Sequence, residues 1–242
     1  MKIPEPLTRL FNSVPLKIIK DENTISKFDN PIPLSDSVPL VLGVYNTFQY
    51  NELILPTDPI SLATYLRLIQ RNNLQLSSSS TGLTKIPFRG SPYNSLPILI
   101  GDSIESIEKI QQNISKHFEK EEYFINDFLD TKLYDLWITC LLVEDIDNET
   151  YYRIFGVKDF EVYDLKSEIP KWNNYKVRFP TLNLKKFYEI QLEEFKDYVE
   201  LDNLKLASFI IIINEFLPFT KIAKLIPTEV IEKSYEILNQ TN

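Results

Sequence analysis

Residues 38–69 read VPLVLGVYNTFQYNELILPTDPISLATYLRLI. The opening Val38-Pro-Leu-Val-Leu-Gly-Val-Tyr-Asn46 is a short apolar run rich in valine, as expected of a strand buried on both faces. At its far end, Asp58-Pro59 pairs an N-cap residue with a proline at the first helical position, and Ile60 to Ile69 continues as a helix. Strand followed by capped helix is the start of an α/β unit. Leu74-Gln-Leu76 is a candidate second strand, ending in Ser77 to Ser80 and a loop that runs to about Ser95. Leu96-Pro-Ile-Leu-Ile100 reads as a further strand closed by Gly101. From Asp102 or Ser103 a helix is expected, with Ile104, Ile107, Ile110, Ile114 and Phe118 on one face.

Beyond about residue 119 the pattern changes to helices. Thr131–Val143 is apolar on nearly every side, which marks a helix buried inside a bundle. Leu182–Val199 is amphipathic, Leu204–Phe216 is almost wholly apolar and stops at Pro218, and Pro227–Leu238 finishes the chain. The expected organisation is an arm at 1–37, an α/β domain at 38–118 and an α-helical bundle at 119–242. Pro4, Pro6, Pro15, Pro31 and Pro33 deny the arm long helices. Between Pro6 and Pro15 there is room for one short helix, with Thr8 as a cap and Leu7, Leu10, Phe11 and Val14 at helical spacing. Two readings stand for it: a tail that patches a groove on its own domain, or a docking arm for another subunit.

Composition removes several function classes. The 242 residues hold five glycines, one cysteine and one histidine. Glycines at 43, 82, 90, 101 and 156 are never closer than eight positions, so neither a dinucleotide-binding turn nor a phosphate loop is present. One Cys140 and one His117 leave no zinc knuckle or dithiol pair. A net charge of −8 argues against a general nucleic-acid binder. No window approaches eighteen uninterrupted apolar residues, and the N-terminus lacks the apolar or basic helix of a targeting segment. Cys140, among Ile138, Leu141 and Leu142, reads as an inert core thiol with a raised pKa.

One charge asymmetry stands out. Lys166 to Lys186 carries six bases and one acid, whereas Asp102 to Asp130 carries eight acids and three bases. The plain reading is an unevenly charged surface. The functional one is that Lys171, Lys176, Arg178, Lys185 and Lys186 meet anionic headgroups or an acidic partner, with Trp172 at the interface.

The order of elements resembles the glutathione-transferase fold, a thioredoxin-like half followed by an all-helical half. Several stretches are similar to the metaxin-like receptor subunits of the yeast mitochondrial sorting and assembly machinery. They are Leu10-Phe11 with Val14-Pro15-Leu16, Leu42-Gly-Val-Tyr-Asn46, Thr57-Asp58-Pro59 and Arg71-Asn72-Asn73-Leu74. Leu96-Pro-Ile-Leu99, Leu133-Tyr-Asp-Leu-Trp-Ile-Thr139 and Leu204-Lys-Leu-Ala-Ser-Phe-Ile210 complete the set. The resemblance implies a non-enzymatic, cofactor-free subunit on the cytosolic face of the mitochondrial outer membrane. Its implied partners are the barrel-forming core subunit, a second metaxin-like subunit and β-barrel precursors, whose C-terminal β-signal it helps recognise and insert. On that reading Leu7, Leu10, Phe11, Val14, Pro15 and Leu16 contact a partner subunit. Departures exist: Ile100 to Ile107 is too short for a full fourth strand, which is expected to be stunted or absent. Glu105-Ser106 stands where transferases place an acid or amide followed by serine for glutathione. Asp202 or Asn203 must cap the Leu204 helix in place of the family's threonine.

The rival is glutathione transfer, with Tyr45 or Thr47 as the activating hydroxyl. Against it, Pro59 removes an N–H and Asp58 adds negative charge where a thiolate would form. A soluble interaction scaffold is the third reading.

Overall fold

A computed structural model describes residues 32–33, 39–72, 76, 82–86, 90–93, 95–101, 103–116, 118–156, 166 and 183–240. The proposed arm residues Leu7, Leu10, Phe11, Val14, Pro15 and Leu16 lie outside them. So do Lys171, Trp172, Lys176, Arg178 and His117.

The first half is built on β2 (Pro39–Val44), the strand expected from the valine-rich run. It pairs antiparallel with β1 (Ile32–Pro33) at its start and parallel with β5 (Leu83–Lys85) further along. On its other side it pairs antiparallel with β6 (Ile98–Ile100), and β6 with β7 (Ile104–Glu105). Leu42 and Val44 are fully buried, as a central strand requires. α1 (Pro59–Arg71) crosses from the β2 side to β5, the connection that parallel pairing needs. Its N-cap forms as expected: Asp58 Oδ1 accepts the Ser61 N–H at 2.9 Å, and Pro59 occupies the first turn. α2 (Ile107–Ser115) follows β7 and buries Ile107, Ile110 and Ile114. A small sheet with helices followed by a helical region is compatible with a thioredoxin- and transferase-like layout.

Three features depart from or add to the expected elements. A strand forms at Leu83–Lys85, within the expected loop; of the expected Leu74–Leu76 strand, Leu76 is buried and in no strand, and residues 74–75 lie outside the described residues. The chain enters β5 through Gly82, whose φ of 78° suits glycine and whose carbonyl accepts the Leu42 N–H at 2.8 Å. The α2 helix begins at Ile107, four or five residues beyond the expected start at Asp102 or Ser103. Ile104 lies in β7 and is 44% exposed, so the fourth strand exists in a two-residue form. Lastly, Thr47–Tyr50 (β3) and Leu53–Pro56 (β4) form a hairpin inserted between β2 and α1. Asn51, at φ 51°, opens its two-residue turn.

The second half is helical, and seven α-helices occur among the described residues. α3 (Lys120–Val143) starts eleven residues earlier than the apolar run, and its residues 135–141 are all buried. α4 (Asn148–Phe155) is delimited by two local signals. Asp147 accepts the Thr150 N–H at 2.6 Å, and Gly156 closes the helix at φ 70°. α5 (Leu184–Phe195) packs against α3; Asn183 caps it, and Tyr188, Leu192 and Phe195 face the core.

α6 (Leu204–Phe216) is the centre of the molecule. Asn203 caps it through the Lys205 N–H at 2.8 Å. Residues 206–213 are all buried, between α1 of the first half and α3 and α7 (Thr228–Gln240) of the second. A helix apolar all round needs cover on every side, and here it gets it from both halves. Cys140 is free and buried, and burial pushes its thiol up to about 12.

Candidate functional site

The turn after β2 is where a transferase would do its chemistry, and here it is tied to the helical half. Thr57 Oγ1 donates to the Ile154 carbonyl at 2.6 Å, and Asn46 Nδ2 donates to the Arg153 carbonyl at 2.8 Å. The Tyr45 ring meets Phe155 edge-on with centroids 5.3 Å apart. Any side chain at Gly156 would crowd the Tyr45 carbonyl, which a Cβ would approach to 3.1 Å. Burial holds the Tyr45 phenol well above the usual tyrosine range, so it is protonated at neutral pH. At the α1 N-terminus the Ser61 N–H is already taken by Asp58. Burial raises the Asp58 carboxyl to about 6, against the opposing pull of its hydrogen bonds from Ser61. Glu105 pairs with Lys109 at 2.6 Å, and the Ser106 hydroxyl makes no cap bond to α2. The turn is therefore a structural joint between the halves.

A cleft of about 240 Å³ lies between α1, α2 and α3, with Lys205 of α6 at its wall. Its apolar side includes Leu133 and Trp137. Its polar side is a network of opposite charges. Arg67 Nη2 meets Glu122 Oε1 at 2.9 Å, with the guanidinium 5.1 Å over the Phe118 ring. Lys205 Nζ pairs with Asp130 Oδ1 and donates to the Asn126 carbonyl at 3.3 Å. Burial lowers the Lys205 ammonium and raises the Asp130 carboxyl, and their contact opposes both shifts. These pairs join residues 55 and 75 positions apart, which no local pattern in the chain announces. The cleft offers donors and acceptors for recognition. Among the described residues, no cluster of His, Cys, Asp or Glu is placed to hold a metal ion.

Of the sequence-predicted contact residues, Lys185 and Lys186 fall in the described set, both exposed in the first turn of α5. The α5 end near Phe195 lies against the middle of α3, through Lys132–Glu194 at 2.6 Å. The Tyr188 end lies against Glu144, at 2.9 Å from the tyrosine hydroxyl. Lys185 and Lys186 therefore sit beside the C-terminal end of α3. The acidic 119–130 segment occupies its other end, about 25 Å away at the helical rise. That acidic end also displays Phe124, 60% exposed, and Phe128, 43% exposed. Sequence reasoning passed over these aromatics because they lie within a charge-rich stretch.

Compared with known families, residues 1–101 match the family described as SAM35, subunit of SAM complex. The match supports a subunit of the SAM complex, which implies a part in barrel assembly at the mitochondrial outer membrane. No curated protein matches the chain.

Proposed function

We propose, with the SAM35 match over residues 1–101 as premise, that this chain is a non-enzymatic subunit of the SAM complex. It sits peripherally on the cytosolic face of the mitochondrial outer membrane. There it docks on the barrel-forming core subunit beside a second metaxin-like subunit, and helps recognise the β-signal of barrel precursors. The family match carries the reading. Two structural facts agree with it: among the described residues no helix is long and apolar enough to cross a membrane, and the Tyr45–Asp58 turn is occupied by the protein's own contacts.

Within this reading the chain has three parts, an arm at 1–37, an α/β domain at 38–118 and a bundle at 119–242. The arm residues Leu7, Leu10, Phe11, Val14, Pro15 and Leu16 form the contact with the core subunit. The stretch holding Lys171, Trp172, Lys176, Arg178, Lys185 and Lys186 faces anionic headgroups or an acidic partner. The test is cell fractionation followed by purification of the complex. The tagged chain is expected to sediment with mitochondria and to be cut by protease added to intact organelles. Alkaline carbonate should release it more readily than a spanning protein. Leu10→Asp with Phe11→Asp should reduce co-purification with the core subunit, and reversing Lys171, Lys176 and Arg178 should lower the salt needed for release. Recovery of the wild-type chain solely in the cytosolic supernatant would overturn the assignment.

A further inference from the structure

The β3–β4 hairpin leaves one strand edge with its backbone groups unused among the described residues. Tyr50 and Leu53 flank the two-residue turn and are paired, as are Phe48 and Leu55. In such a hairpin the pair next to the turn exchanges both hydrogen bonds, and the exchange recurs at every second residue. The Thr57 N–H donating to the Asn46 carbonyl at 3.1 Å continues that alternation. The even-numbered residues 46, 48 and 50 therefore bond inward. The N–H and C=O groups of Thr47 and Gln49 point away from β4, and they have no backbone partner among the described residues.

Two other edges are less open. β4 carries Pro56 at an outward position, which removes a donor from its edge, and it packs against α1. β7 is two residues long, and its Ile104 carbonyl accepts the Tyr93 hydroxyl at 2.9 Å. Unpaired edges are normally blunted in this way because they capture strands. β3 has no such guard: it carries no proline or charged residue, and Gln49 is exposed.

The two faces of β3 differ. Phe48 lies edge-on to Phe216 of α6, with centroids 5.2 Å apart, and Tyr50 stacks on Tyr235 of α7 at 4.9 Å. Both are half-buried, so each keeps apolar surface beside the open edge. Gln49 points to the opposite, solvent side. A strand laid along β3 would place alternate side chains beside Phe48 and Tyr50 and the remainder in water.

We propose that the Thr47–Tyr50 edge is a strand-addition site that takes an amphipathic β-strand of a partner polypeptide through its backbone, with the partner's apolar face on the Phe48 and Tyr50 side. The site rests on the barrel-assembly reading above and gives it a location. Backbone pairing supplies affinity without regard to sequence, and the Phe48–Tyr50 face selects for alternation.

The test uses the full-length protein and a fluorescent ten-residue synthetic peptide alternating leucine with threonine. Two copies of the peptide carry backbone N-methyl groups, one on the odd residues and one on the even. Strand addition uses the N–H groups of one parity, so one copy should lose at least about tenfold in affinity while the other loses little, tenfold being about 1.4 kcal/mol. Gln49→Pro should weaken binding of the unmethylated peptide, and Gln49→Ala should leave it unchanged, because the backbone donor matters and the side chain does not. Circular dichroism checks that each variant folds; if Gln49→Pro does not, the methylated pair decides. Equal loss for both methylated copies, no binding to the wild-type chain, or a folded Gln49→Pro that binds normally would each sink the edge. Co-purification of the wild-type chain with the SAM complex, measured alongside, separates the two failures. If it persists without peptide binding, the edge alone is wrong; if it is absent, the barrel-assembly reading falls.

Discussion

Gly43→Val should destabilise the chain by more than about 3 kcal/mol, enough to remove most of a typical domain's stability. Gly43 is the fifth of the six residues of β2, opposite Thr84 of β5 and Ile98 of β6. A Cβ built there would stand 2.8 Å from Ile86 Cγ1 and 2.9 Å from Ile98 Cγ1, well inside van der Waals contact. Ile98 is 2% exposed and has nowhere to go. A glycine within a strand normally gains from replacement by alanine, by up to about 1 kcal/mol, through lost freedom of the unfolded chain. Here the overlap outweighs that gain, and Gly43→Ala should cost about 1–3 kcal/mol. Denaturant unfolding of the alanine variant, alone and with Ile86→Ala, reads the contact directly. The double variant should be more stable than the sum of its two single costs predicts, since Ile86→Ala removes one of the overlapping atoms. A Gly43→Ala chain as stable as wild type, or strictly additive costs, would mean that β2, β5 and β6 do not meet in this register.

Gly43 also separates what the sequence discloses from what only the fold does. Its strand is legible because five of the seven residues from Val38 to Val44 are valine or leucine, and α1 because Asp58-Pro59 is a local start signal. The same holds for α6, whose apolar residues and Asn203 cap lie within one stretch. β5 is different. Leu83-Thr-Lys85 is three residues long, and its strand state comes from parallel pairing with Leu42–Val44, some forty positions earlier. Local preference alone does not mark so short a segment as a strand. The Ile104 error has a related cause: isoleucine at helical spacing from Ile107 is also isoleucine at the end of a strand, and pairing with Ile100 decided between them. The hairpin and α4 are instead cases of signals present and unread. Phe48 and Tyr50 alternate with Thr47 and Gln49 ahead of Asn51, and Asp147 with Gly156 brackets α4.

The candidate site follows the same division. Asp58 could be read as an anion at a helix start because cap and helix are contiguous. The Arg67–Glu122 and Lys205–Asp130 pairs could not, since packing of α1 and α6 on α3 creates them. The free β3 edge belongs to neither group. It is a property of backbone parity, which becomes visible once the Tyr50–Leu53 register is known.

Asp58 carries the second large effect, and its sign runs opposite to that of a surface carboxylate. The group is 3% exposed; Oδ1 caps α1, while Oδ2 has no hydrogen-bond partner among the described residues. Burial raises the folded-state carboxyl from 3.8 to about 6. Between these values the folded chain holds the proton more tightly than the unfolded chain does. Stability from this group is thus full below about pH 4 and is lost as pH rises through about 6, a linkage on the order of 3 kcal/mol. Asp58→Asn keeps a side-chain carbonyl for the Ser61 N–H and cannot titrate. Its intrinsic cost or benefit is the same at every pH, so the informative quantity is the change in the Tm difference between variant and wild type. That difference should move in the variant's favour by roughly 4–8 °C between pH 4.5 and pH 7.5. Asp130, also raised by burial, titrates equally in both proteins and drops out of the comparison. Asp58→Ala removes the cap as well and should lower Tm throughout, by about 1–2 kcal/mol of stability, while showing the same pH trend. Parallel Tm profiles for Asp58→Asn and wild type would show that the carboxylate is hydrated in the folded protein. The joint between β2, α1 and α4 would then be open to water, and the occupied turn that sets this chain apart from a transferase would lose its physical basis.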